Sequence, residues 1–339
     1  MKWYNYILKA LLIPLSWLYG AVVFVRNMLF DAHLLPSFSV SVPTICVGNL
    51  AVGGTGKTPH VEYLIRLLKD KYKIAVLSRG YGRKTHGFVL ADAKSSAATI
   101  GDEMMQMHTK FPDITMAVCA DRVKGIKMLQ QRVPGLQVVI LDDAYQHRRL
   151  KCGFNILLTP YDRLYLNDYL MPCGRLREPI QGSLRAQVII VTKCPDGIRP
   201  IDMRVVDDTL HLPAFQTLCF SRIEYEALPA DGTPLVVTGI AHPEYMMDYV
   251  SRFCPKAKLL AFADHHDFSE ADINRIAHEA EQYDYILTTE KDKAWLDGHA
   301  LPDSIKDKIY TLPIKVKMLA RAEALNKQIL SYINHHGLH

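Results

Sequence analysis

The stretch CVGNLAVGGTGKTPHVEYLIRLLKD, residues Cys46–Asp70, decides the fold of this chain. An apolar segment leads into a glycine-rich loop, and an amphipathic helical pattern follows it. This arrangement is typical of a loop that binds the phosphates of a nucleotide, because the positive end of the helix faces the anion. The strict pattern G-x-x-x-x-G-K-[ST] would require glycine at position 51, where this chain has Ala51. The alternative interpretation is a glycine-rich turn without a ligand.

Each residue type in the loop suits a part of a bound nucleotide. Three glycines allow backbone N–H groups to approach phosphate oxygens without obstruction by side chains. Lys57 offers a positive charge to the terminal phosphates, and Thr58 offers a hydroxyl to Mg²⁺. The predicted nucleotide site comprises Gly53, Gly54, Thr55, Gly56, Lys57 and Thr58.

An acidic pair further along the chain fits the same site. The segment VVILDDAYQH, residues 138–147, is an apolar strand pattern that ends at Asp142 and Asp143. Ligands of open α/β sheets bind at the edge where the strands end. Two adjacent carboxylates repel each other unless a cation lies between them. The pair therefore predicts a Mg²⁺ site; the alternative is an aspartate that caps the N-terminus of a helix.

Strand and helix patterns alternate over most of the chain, which favours a parallel sheet covered by helices on both faces. The expected fold class is α/β, with a P-loop NTPase-like sheet domain and a second, smaller α/β domain. The segment IEYEALPADGTP, residues 223–234, is rich in turn residues and predicts the boundary between them. We expect a membrane-associated helix at 1–30, a P-loop kinase domain at 31–222 and the smaller domain at 223–339.

Composition excludes several classes of protein. Hydrophobic residues make up 49% of the 339 residues and charged residues 22%, as in ordinary globular proteins. A formal net charge of +5 does not indicate a nucleic-acid partner, although it suits an anionic membrane surface. Seven cysteines without a C-x-x-C pair indicate neither a zinc site nor a disulfide framework. No obligate protein partner is evident from the sequence.

The N-terminal segment predicts contact with a membrane. Lys9 and Arg26 flank the uncharged segment 10–25, which includes Pro14 and Gly20. A helix over these residues would be about 24 Å long, shorter than the roughly 30 Å hydrocarbon core of a bilayer. Aromatic residues are frequent and no acid precedes Asp31, so we expect a shallow interfacial helix. The alternatives are a true membrane span and a buried core helix.

Five further charged segments are candidates for a site, and four of them also have a plain structural explanation. SRGYGR, residues 78–83, suits an anionic group or forms a solvated turn, and GDEMMQM, residues 101–107, begins a helix with two acids. CGRLREP, residues 173–179, places two arginines and a glutamate in a loop. FADHHDF, residues 262–268, follows a strand pattern with a pair of adjacent histidines, which are either structural or catalytic. TTEKDK, residues 288–293, ends another strand pattern and is either part of a site or a solvated loop.

In their order along the chain, these motifs resemble those of the tetraacyldisaccharide 4'-kinase family, the lipid A 4'-kinases. The similar segments also include VGNLAVGGTGKTP, LDDAYQH and GIAHP, and the resemblance covers nearly the whole chain. It implies transfer of the ATP γ-phosphate to the 4'-hydroxyl of a tetraacyldisaccharide 1-phosphate lipid, giving lipid IVA at the cytoplasmic face of the inner membrane. The chain has Ala144–Tyr145 where many members have Gly–Phe, which keeps an aromatic ring there.

The resemblance also implies roles for residues around the nucleotide. Lys57 and the loop amides would hold the β- and γ-phosphates of ATP, and Thr58 would contact Mg²⁺. Asp142 and Asp143 resemble the paired acids of the family near the metal. Glu178 resembles a further acid of this metal site.

Other roles concern the acceptor. Asp102 resembles the base that takes the proton from the 4'-hydroxyl, and His265 resembles its partner in a catalytic dyad. The resemblance implies that Arg79, Tyr81 and Arg177 contact the sugar or the phosphate of the acceptor.

Two other functions are compatible with a phosphate-binding loop. A P-loop GTPase would carry an N-K-x-D motif at a strand end, and VTKCPD, residues 191–196, differs from it by a threonine and a displaced aspartate. A membrane-positioning ATPase would carry a second lysine early in the loop, where this chain has Val52. The sequence therefore favours the kinase.

Overall fold

The computed structural model describes residues 2–240, 242–263, 266, 268–296 and 301–336. Nine strands form one large sheet in the order β13-β8-β7-β6-β1-β5-β2-β4-β3. Seven of them are parallel to one another, and the edge strands β3 and β13 are antiparallel to β4 and β8. The strands are β1 Thr44–Asn49, β2 Ile74–Ser78, β3 Val89–Leu90, β4 Thr115–Val118, β5 Val138–Asp142, β6 Phe154–Pro160, β7 Val188–Thr192, β8 Thr217–Tyr225 and β13 Ile314–Ala320.

A second, four-stranded parallel sheet has the order β10-β9-β11-β12. Its strands are β9 Pro234–Thr238, β10 Lys258–Ala261, β11 Tyr285–Thr288 and β12 Ile309–Thr311. The helices of the chain are α1 Lys2–Asp31, α2 Lys57–Leu68, α3 Ala97–Ile100, α4 Asp102–Lys110, α5 Arg122–Arg132, α6 Pro200–Leu210, α7 Pro243–Phe253, α8 Glu270–Ala280, α9 Glu290–Leu296, α10 Asp303–Lys306 and α11 Ala322–His336.

Helices cover both faces of the large sheet, as the alternating pattern predicts. Residues of α5 and α6 pack on one face, and residues of α2, α4 and α11 pack on the other. The central strands are buried along their whole length because both of their faces are covered. Each fully buried leucine or isoleucine contributes roughly 1.5–3 kcal/mol to this core. The α/β fold class is thereby confirmed.

The end of the chain returns to the large sheet. β13 pairs with β8 in antiparallel register, with Ile314 opposite Tyr225, and α11 packs on the same face as α2. The boundary predicted between residues 222 and 223 falls inside β8. We therefore propose that the smaller unit comprises residues 226–313, with β9 to β12 and α7 to α10.

The N-terminal helix is continuous through Pro14 and Gly20, although both residue types are unfavourable in the interior of a helix. Its described outer face is apolar and exposed, with Trp17 75% exposed. Gly20 faces Leu170, because a Cβ at position 20 would lie 2.7 Å from that side chain. The part from Leu12 to Asp31 is long and apolar enough to cross a membrane, judged by length and composition.

Candidate active site

The glycine-rich loop follows β1 and ends where α2 begins. Gly53 and Gly56 have φ angles of 107° and 86°, in the region that favours glycine. Gly56 precedes Lys57, the first residue of α2. The first N–H groups of α2 have no partner within the helix, so this end carries partial positive charge. The geometry fits the phosphates of a nucleotide.

Hydrogen bonds to neighbouring segments hold the glycine-rich loop in place. The Thr55 hydroxyl accepts a hydrogen bond from the Asn49 amide at 2.9 Å, and the Thr55 carbonyl accepts one from the Thr192 hydroxyl at 2.9 Å. Thr55 is 3% exposed, so its side chain supports the loop from inside. The Val52 N–H donates to the Arg175 carbonyl at 2.8 Å, which joins the loop to the CGRLREP segment.

His60 braces the same loop from the first turn of α2. Its Nδ1 lies 2.7 Å from the Gly56 carbonyl and its Nε2 lies 2.9 Å from the Ser221 hydroxyl. Because a carbonyl can only accept, Nδ1 carries the proton, and the neutral ring accepts from Ser221 through Nε2. Burial lowers the pKa of His60 from 6.5 to about 4. The ring is therefore neutral at physiological pH.

Asp142 is the last residue of β5, beside β1, and lies opposite Val47 in the sheet register. Asp142 is 1% exposed, and neither carboxylate oxygen has a well-oriented hydrogen bond among the described residues, although the Ser78 hydroxyl and the Lys57 ammonium lie near enough to lower its pKa. Burial raises the pKa of Asp142 to about 7, with further contributions from Glu103 and Asp143. A buried carboxylate without well-oriented hydrogen bonds is unfavourable unless it is neutral or faces a cation.

These properties fit a Mg²⁺ site of the kind completed by substrate. Within the part of the chain that the structure describes, no group of three or more His, Cys, Asp or Glu residues is arranged to hold a metal. Mg²⁺ in phosphotransferases is commonly held by one or two carboxylates together with substrate phosphates. Asp142 and the Thr58 hydroxyl, which both line the cleft described below, suit that arrangement.

Asp143 has a different environment from Asp142. Its φ angle of 48° is uncommon for a residue with a side chain, and its N–H donates to the Val47 carbonyl at 3.0 Å. Its carboxylate lies 3.7 Å from Lys57 Nζ and 2.9 Å from Arg177 Nη1. Asp143 therefore links the lysine of the phosphate loop to an arginine predicted to contact substrate.

Glu178, predicted as a further metal ligand, has both carboxylate oxygens engaged by other groups. Arg185 Nη2 lies 2.8 Å from each oxygen. The Gln146 amide donates to Oε1 at 2.8 Å, and the Asn27 amide donates to Oε2 at 3.3 Å. The side chain is 2% exposed. Because these donors use the carboxylate, we do not include Glu178 in the proposed ligand set.

Arg122 supports the acidic pair, and the sequence did not identify it. Its guanidinium is 3% exposed and donates to the carbonyls of Asp142 at 3.5 Å and Asp143 at 3.2 Å. It also donates to the Cys119 and Ala120 carbonyls. Arg122 is the first residue of α5. No local signal in the sequence marks this contact.

The residues assigned to the acceptor lie at the rim. Arg79 and Tyr81 follow β2, and both are exposed. Gly101, which precedes Asp102, packs so closely on this turn that a Cβ there would lie 2.6 Å from the Tyr81 carbonyl. Asp102 is exposed at the start of α4. His265, its predicted partner, lies outside the described residues, so the dyad stays a prediction.

A cleft of about 2070 Å³ brings these groups together. It is lined by the phosphate loop, the acidic pair, the turn after β2, the start of α4 and residues of the smaller unit, including Tyr245 and Glu290. Tyr19, Val23 and Arg26 of α1 also line it. The Tyr19 hydroxyl donates to the Arg177 carbonyl at 2.7 Å. The apolar helix thus forms one wall of the cleft into which the phosphate loop opens.

The fold and this site define a P-loop kinase, with a nucleotide loop and room for a second substrate in one cleft. A family model described as Tetraacyldisaccharide-1-P 4'-kinase matches residues 8–334. The chain belongs to this family, which confirms the resemblance seen in the motifs. The assignment favours the kinase over the GTPase and the membrane-positioning ATPase.

Individual relatives agree with the family model. The chain is 46% identical to the tetraacyldisaccharide 4'-kinase of Bacteroides thetaiotaomicron, over 95% of this chain and 92% of the relative. It is 42% identical to that of Flavobacterium johnsoniae, over 96% and 98%. Among solved structures, LpxK from Aquifex aeolicus in complex with ATP matches with a TM-score of 0.75 and 28% identity, over 96% of this chain and 99% of that chain.

Proposed function

We propose that this enzyme transfers the γ-phosphoryl group of ATP to the 4'-hydroxyl of a tetraacyldisaccharide 1-phosphate lipid, giving lipid IVA in lipid A biosynthesis. The observation that carries the proposal is the shared cleft: α1, with its exposed apolar face, forms a wall of the cavity that holds the phosphate loop. A soluble nucleotide and an acyl-anchored sugar would meet there. The names of the family and of the relatives support this substrate class.

The phosphate loop is proposed to hold ATP. Backbone N–H groups of Gly53, Gly54, Thr55, Gly56, Lys57 and Thr58 would surround the β- and γ-phosphates. The Lys57 ammonium would stabilise charge that develops on the transferring group, a large contribution in phosphoryl transfer. The ion pair of Lys57 with Asp143 holds this ammonium at the mouth of the cleft.

Thr58 and Asp142 are the residues best suited to hold Mg²⁺, with Asp143 beside them. When bound, the ion supplies neutralisation of phosphate charge and orientation of the γ-phosphoryl group. The buried oxygens of Asp142, which lack a well-oriented hydrogen bond among the described residues, support this assignment. Arg122 would keep the strand end in place through its hydrogen bonds to the two carbonyls.

Asp102 is proposed as the general base, with His265 as its partner. Asp102 would accept the proton of the 4'-hydroxyl while the hydroxyl oxygen bonds to the γ-phosphorus and the bond to the bridging oxygen of ADP breaks. A sugar hydroxyl is a weak nucleophile, so an oriented base assists the attack. Arg79, Tyr81 and Arg177 are proposed to contact the acceptor sugar or its phosphate, because the two guanidinium groups suit an anionic lipid headgroup and the Tyr81 hydroxyl can hydrogen-bond to a sugar.

We also propose that the enzyme works at the cytoplasmic face of the inner membrane, as a peripheral or shallowly inserted protein. The exposed face of α1 supports the membrane contact, because apolar side chains of this number are rarely left in water. The 1-phosphate of the acceptor and the mild positive charge of the chain are compatible with an anionic surface.

Phosphate transfer to lipid tests the proposal. Purified enzyme would be incubated with γ-labelled ATP, Mg²⁺ and the acceptor lipid in detergent micelles, and the lipid fraction would be separated. We expect label in the lipid with ATP, and little with GTP at the same concentration. Label that appears only as inorganic phosphate, or lipid labelling that GTP supports as well as ATP does, would count against it.

A further inference from the structure

A lysine far from the phosphate loop joins three parts of the molecule. Lys110 is the last residue of α4. Its Nζ lies 2.9 Å from Oε2 of Glu62 on α2 and 2.6 Å from Oε2 of Glu290 on α9. The two carboxylates come from different units: α2 belongs to the large sheet, and α9 follows β11 of the small sheet. One ammonium therefore bridges the two units.

The bridge is shielded from water. The side chain of Glu62 is 1% exposed, and those of Lys110 and Glu290 are each 16% exposed. Burial raises the pKa of Glu62, and Lys110 opposes this rise. Arg66, one turn along α2, adds a longer contact to Glu62 at 3.4 Å. Without Lys110, two carboxylates would face each other in a poorly solvated place, and their repulsion would separate the helices.

Glu62, Lys110 and Glu290 lie in three different helices, and each helix is connected to a different functional part of the cleft. Glu62 lies on the helix that begins at Lys57, and Lys110 lies on the helix that begins at Asp102. Glu290 is fixed to the small sheet through Asp292 in the same helix. The Asp292 carboxylate accepts hydrogen bonds from the Thr238 hydroxyl at 2.7 Å and from the Gly239 N–H at 3.1 Å. A movement of the small sheet would therefore act directly on Lys110.

We propose that Lys110 is a positioning residue: through Glu290 and Glu62 it holds the smaller unit against α2 and α4, and so sets the cleft width at which phosphoryl transfer occurs. This inference rests on the proposed kinase function for its kinetic effect. Closure of a cleft often precedes chemistry in phosphotransferases, and groups that stabilise the closed form act on kcat. The role proposed for Lys110 is indirect and requires no contact with substrate.

The cleanest variant is Glu290→Gln, because Lys110 keeps its contact with Glu62 and the large sheet retains its packing. The matched control is Glu279→Gln on α8 of the same unit. Glu279 pairs with Lys258 at 2.7 Å, but that lysine side chain is 50% exposed, and such a pair contributes little. We would measure kcat, ATP affinity, melting temperature and the radius of gyration by X-ray scattering with a non-hydrolysable ATP analogue.

We expect Glu290→Gln to lower kcat by about tenfold, the effect of roughly 1.4 kcal/mol, with ATP affinity and melting temperature close to those of the unsubstituted enzyme. Its radius of gyration with the analogue should be larger, and Glu279→Gln should match the unsubstituted enzyme in every measurement. Turnover within twofold of the unsubstituted enzyme, or an unchanged radius of gyration, would overturn the proposal. A kcat loss that accompanies an equal loss in Glu279→Gln would overturn it too.

A second pair of variants distinguishes a specific bridging role of Lys110 from a general contribution to stability. Lys110→Met leaves Glu62 and Glu290 in mutual repulsion, and adding Glu290→Gln removes that repulsion. We expect the double variant to be at least as active as Lys110→Met alone; a further loss in the double variant would contradict the bridge. If the unsubstituted protein transferred no phosphate at all, the proposed function would fail, and the scattering comparison would still decide on the bridge.

Discussion

The Arg177 guanidinium lies 2.9 Å and 3.0 Å from the two carboxylate oxygens of Asp143. The Arg177 backbone also connects two other parts of the site. Its N–H donates to the Leu50 carbonyl at 2.7 Å, and its carbonyl accepts from the Tyr19 hydroxyl at 2.7 Å. One residue thus joins the acidic pair, the start of the phosphate loop and the N-terminal helix.

Replacing Arg177 with alanine should lower kcat by about tenfold to a hundredfold, because Asp143 and Lys57 lose a charge that orients them. The steady-state rate of lipid phosphorylation measures the effect. Arg199→Ala is the matched control, since Arg199 forms a similar pair with Asp202 but is exposed. Equal rates for the two variants would show that Arg177 has no special role.

Lys57→Ala should reduce turnover at least about a hundredfold, because the ammonium stabilises charge on the transferring phosphoryl group. Single-turnover kinetics and circular dichroism would separate loss of chemistry from loss of folding. Lys69→Ala, just beyond the other end of the same helix, should leave turnover unchanged. A folded Lys57→Ala protein with near-normal turnover would refute the assigned role.

The outer face of α1 should determine affinity for the lipid. Leu18, Val22 and Val25 are exposed and lie on one face of the helix. Replacing all three with glutamine should weaken vesicle binding and raise the KM for lipid several-fold, while ATP affinity stays constant, because the apolar contact with the bilayer is lost. Vesicle flotation and steady-state kinetics provide the two measurements.

A control variant tests whether replacing exposed apolar residues elsewhere on the protein also weakens vesicle binding and raises the KM for lipid. Ile201, Val205 and Phe215 are similarly exposed elsewhere on the large unit. Their replacement with glutamine should leave vesicle binding and lipid KM unchanged. If the α1 variant still floats fully with vesicles and keeps its lipid KM, the helix has another role.

Asp102 and His265 should act as one unit. An aspartate alone is a weak base near neutral pH, since its ordinary pKa is about 3.9, and a histidine partner can orient it. Asp102→Ala, His265→Ala and the double variant should therefore lose similar amounts of kcat while ATP still binds. The four-protein cycle is read from kcat and nucleotide affinity. Fully additive losses would mean independent action, and normal turnover in Asp102→Ala would eliminate the base.

His60 should make stability depend on pH in a defined range. Burial lowers its pKa to about 4 from 6.5, so the unfolded chain binds more protons than the folded one between these values. The contribution of His60 to stability should therefore fall by about 2–3 kcal/mol as pH decreases from about 6.5 to about 4, while the raised pKa of Asp142 changes stability in the opposite direction over this range. Urea unfolding across this range measures it. Compared with the unsubstituted protein, His60→Gln should lose less stability, or gain more, between pH 6.5 and pH 4, whereas His278→Gln, an exposed control, should keep the unsubstituted profile; an unchanged profile in His60→Gln would show that His60 makes no such contribution.

The sequence predicted the parts of the fold that depend on local pattern. The buried strands β1, β2, β5 and β7 are short apolar runs; the glycine loop follows β1, and the acidic pair begins at the last residue of β5. Their parallel pairing brings those strand ends to one edge, so the juxtaposition of Lys57 and Asp143 followed from topology alone.

The features of the fold and of the site that the sequence did not predict depend on tertiary contacts. In β13, IKVKMLA, lysines alternate with apolar residues as expected of any exposed strand, and nothing local indicates that it pairs with β8. The Glu178 carboxylate resembled a metal ligand in its motif, but its partner Arg185 lies in the following turn. The Lys110–Glu290 pair joins residues 180 positions apart. A pair as distant as Lys110–Glu290 cannot be derived from spacing, and the Glu178–Arg185 pair, although close in sequence, depends on how the intervening turn folds.

The position of the new phosphate on the lipid shows directly whether the enzyme phosphorylates the 4'-hydroxyl of the acceptor. The acceptor lipid would be incubated with γ-labelled ATP and Mg²⁺, and the product analysed by mass spectrometry and phosphorus–proton NMR correlation, with Lys57→Ala in parallel. We expect one added phosphate on the 4'-oxygen, an intact 1-phosphate, and at least about a hundredfold less product with Lys57→Ala. A phosphate at any other position, or an unmodified lipid beside hydrolysed ATP, would contradict it.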